Sequence, residues 1–138
     1  ALNSLTRLLL VNGVYFKSQW KHPFDESYTQ KEPFYLSDQD WVEVDMMFNM
    51  GEFPYVNLKE LDAHAVALPY NGDRLSMVIY VPFQINGLSI IVEGLKNSSL
   101  SKILQRLKPK PVVYVSLPRF KVESTLFLVE PLKTVSVV

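Results

Sequence analysis

Only two histidines, His22 and His64, and no cysteine are available for nucleophilic or metal chemistry in this chain. Hydrolysis by a Ser/His/acid or Cys/His set needs a histidine beside a nucleophile, and a metal site needs several clustered ligands. His22 precedes Pro23 in a predicted corner, and His64 alternates with Ala63 and Ala65 along a predicted strand. Since neither histidine has clustered carboxylates nearby, we expect surface or structural roles for both. The sequence predicts neither an enzyme nor a metal or other cofactor.

A basic cluster could bind a polyanion such as a glycosaminoglycan. Its members are Lys102, Arg106, Lys108 and Lys110. A solvated helix face with basic residues near its C-terminal dipole is the favoured interpretation. The whole chain has 14 acidic and 14 basic residues, so its charge gives no case for nucleic acid or an anionic membrane as a partner. No segment is long and apolar enough to span a bilayer.

One amide, Asn12, lies inside the apolar segment Leu8–Phe24, which reads LLLVNGVYFKSQWKHPF. A long apolar run rich in β-branched and aromatic residues is typical of a strand buried on both faces. An unpaired amide there would cost about 1–3 kcal/mol. Asn12 therefore needs a specific partner or a specific function.

Several further strands are predicted downstream of this segment. Trp41–Met47 alternates apolar and acidic residues, which is typical of a half-exposed strand. The strongest turn signal, Asn71-Gly72-Asp73, lies between two strand-like runs and indicates a hairpin. The predicted strands are Thr29–Leu36, Trp41–Met47, an edge strand or bulge at Phe48–Tyr55, the hairpin Ala63–Pro82, and Val112–Leu117.

Helices are predicted at Leu88–Lys96 and Ser99–Leu107, and a last amphipathic segment runs from Ser124 to about Val135. The second helix is expected to stop at the KPKP run, residues 108–111. A chain of 138 residues has the length of one domain. Strands that surround a few short helices, without βαβ alternation, indicate an α+β fold with mixed or antiparallel sheets.

Segments along nearly the whole chain resemble, in order, the serpins, a family of serine protease inhibitors. They are Leu8–Phe24, Thr29–Tyr35, Val44–Met47 with Phe53–Tyr55, Ala67–Tyr70 with Leu75–Pro82, Val115–Glu123 (VSLPRFKVE), and Leu126–Leu132. The first resembles the third strand of the large central sheet of that family, and the fifth resembles its LPRF-type strand. The chain is thereby identified as a member of the serpins, with residues 1–138 as a partial domain from the middle of the fold.

The resemblance implies roles for three residues. Asn12 would lie at the shutter, where the large sheet parts, and Trp20 and Thr29 would lie at the breach, where a cleaved loop begins to insert. A buried amide that changes partners suits a sheet that opens. A static hydrogen bond between strands is the alternative for Asn12, and the residues alone leave both open.

The resemblance also implies a function for a full-length parent: inhibition of a serine protease by cleavage and insertion of a reactive-centre loop. The segments expected for the N-terminal helical part and that loop are not in these 138 residues. We therefore expect this chain itself not to be inhibitory, and the target protease is not identified. A truncated, non-inhibitory binding protein whose exposed sheet edges recruit a partner or another copy of the chain is the alternative. Whether the chain is a natural short form or an incomplete sequence stays open.

A sequon for N-glycosylation, Asn97-Ser98-Ser99, matters only in a secreted protein. The resemblance implies an extracellular location. Together these observations make Asn97 a candidate glycosylation site.

Overall fold

A five-stranded antiparallel sheet with two short helices forms the structure, a computed structural model that describes residues 18–121. The strands are β1 (Gln30–Tyr35), β2 (Trp41–Leu58), β3 (Ala63–Pro69), β4 (Ser76–Pro82) and β5 (Lys108–Pro118), and the helices are α1 (Leu88–Asn97) and α2 (Leu100–Gln105). This arrangement confirms the predicted α+β class. Asn12, the start of the segment Leu8–Phe24 and the predicted amphipathic segment from Ser124 lie outside the described residues.

The long strand β2 organises the sheet because it pairs with three neighbours. Met46 lies opposite Gln30 of β1 and Pro118 of β5. Tyr55, nine positions later, lies opposite Val66 of β3 and Lys108 of β5. One residue can face two strands only across its two edges, so β5 runs along one edge of β2 while β1 and then β3 occupy the other.

The hairpin between β3 and β4 forms as the sequence predicts. Gly72 and Asp73 both have positive φ, +93° and +56°, in the turn. Glycine adopts such backbone angles without steric cost, and aspartate is among the residues that tolerate them. The backbone N–H of Tyr70 donates to the carbonyl oxygen of Leu75 at 2.9 Å and closes the loop.

Two hydrophobic clusters lie along the sheet. In the first, α1 and α2 pack Ile91 and Ile103 against Val56 and Leu58 of β2 and two alanines of β3, Ala63 and Ala65. The second contains Phe53, which is 2% exposed. Val66, Leu68 and Val115 complete its buried part. Because side chains alternate along a strand, Phe53 and Val56 point to opposite faces, and β2 contributes to both clusters.

Two boundaries differ from the prediction. The predicted strands Trp41–Met47 and Phe48–Tyr55 are one continuous strand, with a register shift between Gly51 and Phe53 where the bulge was expected. Strand β5 begins at Lys108, so the KPKP run belongs to a strand and α2 ends earlier, at Gln105. Among the described residues β5 pairs with β2 alone, and an edge strand tolerates proline.

Gly94 of α1 allows the helix to approach Leu61 closely. A Cβ built on Gly94 would overlap Cδ2 of Leu61, which is 2% exposed and packed in the first cluster. We expect Gly94→Ala to lower the free energy of unfolding by about 1–3 kcal/mol, because overpacking exceeds the gain of up to about 1 kcal/mol in helix propensity. Urea denaturation measures the change.

Gly51→Ala is the matched control for this prediction. Its new Cβ would lie 3.6 Å from the Phe53 ring, an ordinary contact distance. An unchanged or higher stability for Gly94→Ala would contradict the role of this close approach.

Candidate functional site at Trp20 and Thr29

Backbone hydrogen bonds attach the segment around Trp20 to the turn end of the β3–β4 hairpin. The N–H of Lys21 donates to the carbonyl of Pro69 at 2.9 Å, and the N–H of Asn71 donates to the carbonyl of Gln19 at 2.8 Å. The ammonium of Lys21 also lies 2.6 Å from the carboxylate of Asp73. The indole of Trp20 is therefore positioned by the backbone on both sides of it.

Aromatic contacts hold the Trp20 ring itself. It stacks on Tyr70 with a centroid distance of 4.5 Å and an interplanar angle of 12°. Phe24 meets it edge-on at 6.3 Å. Trp20 and Phe24 both pack against the second cluster, which contains Phe53. Trp20 and Phe24 are therefore partly buried at the margin of this cluster.

Asn49 fixes the corner between Trp20 and Phe24. Its Nδ2 donates to the carbonyl of His22 at 2.9 Å and to that of Pro23 at 3.3 Å, while its Oδ1 accepts from the N–H of Met50 at 2.8 Å. The His22 ring packs edge-on against Phe53 at 5.6 Å. Sequence reasoning singled out Asn12 but missed Asn49, although both are amides within apolar strand segments.

Thr29 follows a 3-10 turn, Glu26–Tyr28, that is capped by Asp25. The Asp25 carboxylate accepts hydrogen bonds from the hydroxyl of Ser27 at 2.7 Å and from its N–H at 2.9 Å. These two bonds lower the pKa of Asp25, the hydroxyl contributing most. The N–H of Thr29 donates to the carbonyl of Glu26 at 3.0 Å and closes the turn.

A cleft of about 450 Å³ lies between Trp20 and Thr29. Phe24 and Met47 add apolar lining, and Glu26 and Arg119 add an ion pair with a 3.6 Å separation. The hydroxyl oxygen of Thr29 is buried and, among residues 18–121, has no hydrogen-bond partner. Nearly all buried polar atoms in proteins are paired, so this hydroxyl is available to a group that enters the cleft.

The other candidate residues lie apart from this cleft. Asn97 ends α1 on the surface, and its side-chain amide donates to the carbonyl of Glu93 at 3.2 Å. The basic cluster is not one helix face: Arg106 pairs with Glu60, and Lys108 and Lys110 belong to β5. That prediction was therefore wrong about the helix, because the helix ends before the two lysines.

His64 lies on a strand, as predicted, and it is half-buried. Its Nδ1 lies 3.3 Å from the Tyr55 hydroxyl. Burial lowers the pKa of His64, and the ammonium of Lys110 lowers it further. Within residues 18–121, no group of three or more His, Cys, Asp or Glu side chains is arranged to hold a metal ion. Over the same residues, neither helix has the length and hydropathy needed to cross a membrane.

The family model described as "Serpin (serine protease inhibitor)" matches residues 1–138. The chain belongs to the serpin family. It is 37% identical over 136 residues to Ipis-1 of Ixodes persulcatus and 38% identical over 144 residues to the leukocyte elastase inhibitor of Bos taurus. These alignments cover 99% of this chain and 36% and 37% of those proteins, so the chain spans a little over a third of the relatives' length.

Solved structures show the same fold. The structure "Cleaved Serpin 42Da" matches with a TM-score of 0.74 and 39% identity, covering 76% of this chain and 28% of that one. A serpin from the trematode Schistosoma haematobium matches with a TM-score of 0.69 and 32% identity, over 87% of this chain and 32% of its own. The predicted family, and a sheet arrangement consistent with part of its fold, are thereby confirmed.

Proposed function

We propose that the whole protein to which these residues belong inhibits a serine protease by inserting its cleaved reactive-centre loop into the large sheet. Family membership supports the activity, and relatives are named as inhibitors of leukocyte elastase and as an antitrypsin. The observation that carries the mechanism is the open cleft beside Trp20, with the unpaired hydroxyl of Thr29 buried in its wall. In this proposal, Trp20 and Thr29 form the breach.

Strand insertion makes two physical demands that this cleft suits. An entering strand brings backbone polar groups that must be paired, and side chains that need space. The Thr29 hydroxyl offers a donor and an acceptor, and the cleft offers volume. Stacking on Tyr70 fixes the orientation of the Trp20 indole in the wall of the cleft. In this proposal, a ring fixed in this way keeps the entrance open before insertion.

Variants of the whole protein test the role of Trp20. Insertion competes with release of the cleaved inhibitor, so Trp20→Ala should lower the rate of loop insertion by about tenfold, equivalent to about 1.4 kcal/mol in the barrier. The measurement is the stoichiometry of protease inhibition, together with the yield of denaturant-stable complex on gels. Trp41→Ala is the matched control, because Trp41 is 58% exposed and lies outside the cleft. Equal effects of the two substitutions would contradict the proposal.

The 138-residue chain by itself should form no such complex. This part of the proposal rests on the span of the chain, which covers 36% of Ipis-1. Incubation with trypsin-like, chymotrypsin-like and elastase-like proteases, followed by denaturing gels, tests it alongside the whole protein. A denaturant-stable complex with the chain alone would overturn the statement, while absence of one with the whole protein would refute the inhibitory function.

A second candidate, a non-inhibitory binding protein that self-associates, is favoured by the edge of β4. Among the described residues β4 pairs with β3 alone, and its seven residues, Ser76–Pro82, carry no charge. Such an edge is a template for another strand. We expect Val81→Lys to reduce association of the chain as measured by light scattering, while Leu75→Lys, which adds the same charge outside the strand, should not. A clean monomer before substitution would argue against this candidate.

An extracellular location and a glycan on Asn97 form part of the proposal that the whole protein is a protease inhibitor. Asn97 is exposed at the end of α1, where an oligosaccharide has room. Expression through a secretory pathway should add a mass that glycosidase treatment removes and that is lost in Asn97→Gln. Ser99→Ala should also lose it, whereas Ser98→Ala, at the variable position of the sequon, should retain it. An unglycosylated secreted protein would contradict the assignment.

A further inference from the structure

The start of β5 carries two prolines, Pro109 and Pro111, beside the C-terminal part of β2. Pro109 lies opposite Pro54, and neither residue has an N–H to donate. A register shift between Gly51 and Phe53 separates this stretch from the regular ladder that follows. Only the positions Phe53–Lys110 and Tyr55–Lys108 can join the strands here through N–H donors. Side-chain contacts add to these backbone bonds at this end of β5.

A cluster of three side chains provides those contacts. The ammonium of Lys110 lies 4.3 Å from the centroid of the Tyr55 ring, a cation–π distance. The hydroxyl of Tyr55 lies 3.3 Å from Nδ1 of His64. The His64 ring also packs against Phe83, with a centroid distance of 5.1 Å. Tyr55 thus contacts β5 through its ring and β3 through its hydroxyl.

The charges around His64 make the cluster sensitive to protonation. The positions opposite His64 are the uncharged Asn57 in β2 and Val81 in β4. The Tyr55 hydroxyl reaches it diagonally from β2, and Lys110 lies nearby on β5. Asp62 lies two residues before His64 in the chain. Its carboxylate accepts a hydrogen bond from the side chain of Gln84 and not from His64. No carboxylate among the described residues hydrogen-bonds His64. A proton added to the imidazole is therefore opposed by burial and by a second positive charge.

We propose that His64, Tyr55 and Lys110 form an acid-sensitive clamp that holds the start of β5 on β2 and releases it when His64 is protonated. A neutral imidazole can accept the Tyr55 O–H at Nδ1, whereas a protonated one can only donate from Nδ1, so the Tyr55 hydroxyl must reverse its role. The added charge also repels Lys110, which shares the same tyrosine. Release would expose the edge of β2 at Phe53–Tyr55. This clamp is independent of the proposed protease inhibition.

The direction of the pH effect follows from the lowered pKa of His64. A solvated histidine has a pKa of about 6.5, so the released state binds protons more readily than the clamped state. The clamp is fully stable above about pH 6.5 and weakens as the pH falls toward the lowered value of the clamped state. Acid therefore favours release.

Amide hydrogen exchange of the 138-residue chain, corrected for intrinsic rates, tests the proposal. Between pH 7.5 and 5.5 we expect the protection of the amides at residues 53, 55, 108 and 110 to fall by about fivefold, with little change in the β1–β2 ladder. In His64→Gln the fall should be less than about twofold. Lys110→Gln should also reduce the fall, because it removes the second positive charge.

His22→Gln is the matched control, since His22 contacts Phe53 outside the clamp and its loss should leave the pH response unchanged. A fall that persists in His64→Gln would overturn the proposal. An equal fall throughout the sheet would also overturn it, because that result indicates general acid destabilisation. Circular dichroism at both pH values checks that each variant stays folded.

Discussion

The 18-residue strand β2 is the constraint on which the described structure depends. It pairs with β1, β3 and β5, and it supplies Val56 and Leu58 to one cluster and Phe53 to the other. Its length, about three times that of an ordinary strand, lets it pair with β1 near its start and with β3 near its end. Phe53 and Val56 point to opposite faces after the register shift, so one strand supplies both clusters.

The cleft at Trp20 depends on this strand through Phe53 and Asn49. Phe53 belongs to the cluster against which Trp20 packs, and Asn49 holds the carbonyls of His22 and Pro23. Both residues lie on β2, close to its bulge. The chain before Thr29 has no regular strand among its described residues, so its shape is imposed by β2 and the β3–β4 hairpin. A short irregular segment can line a defined cleft only with such support.

Much of the fold follows from local sequence signals, and the differences have physical causes. The β3–β4 hairpin was predictable because Asn71-Gly72-Asp73 supplies the positive φ angles that its turn needs. The start of β5 was not, since Pro109 and Pro111 argue against a strand until the pairing partner is known. Gly51 and Pro54 predicted the bulge of β2. They did not predict that the strand continues past it, because that continuity depends on β5 running along one edge of β2 on both sides of the bulge.

The site was predictable to a different degree. The family resemblance pointed to Trp20 and Thr29, and the structure brings both to one cleft. It could not indicate Asn49 or the Glu26–Arg119 ion pair, because those contacts join residues far apart in the chain. Periodicity places a residue on a face of a strand, while a hydrogen bond depends on distances that only the assembled sheet defines.

The unpaired hydroxyl of Thr29 has an energetic meaning within this arrangement. Leaving a buried hydroxyl without a partner costs about 1–3 kcal/mol, and valine would fill almost the same space without that cost. Among residues 18–121 this hydroxyl oxygen has no partner, so it is unfavourable in the state described. In the insertion mechanism proposed above, the backbone of an entering strand would pair with it. Thr29 would then contribute to the free-energy difference between the two states, which is the property that an insertion site requires.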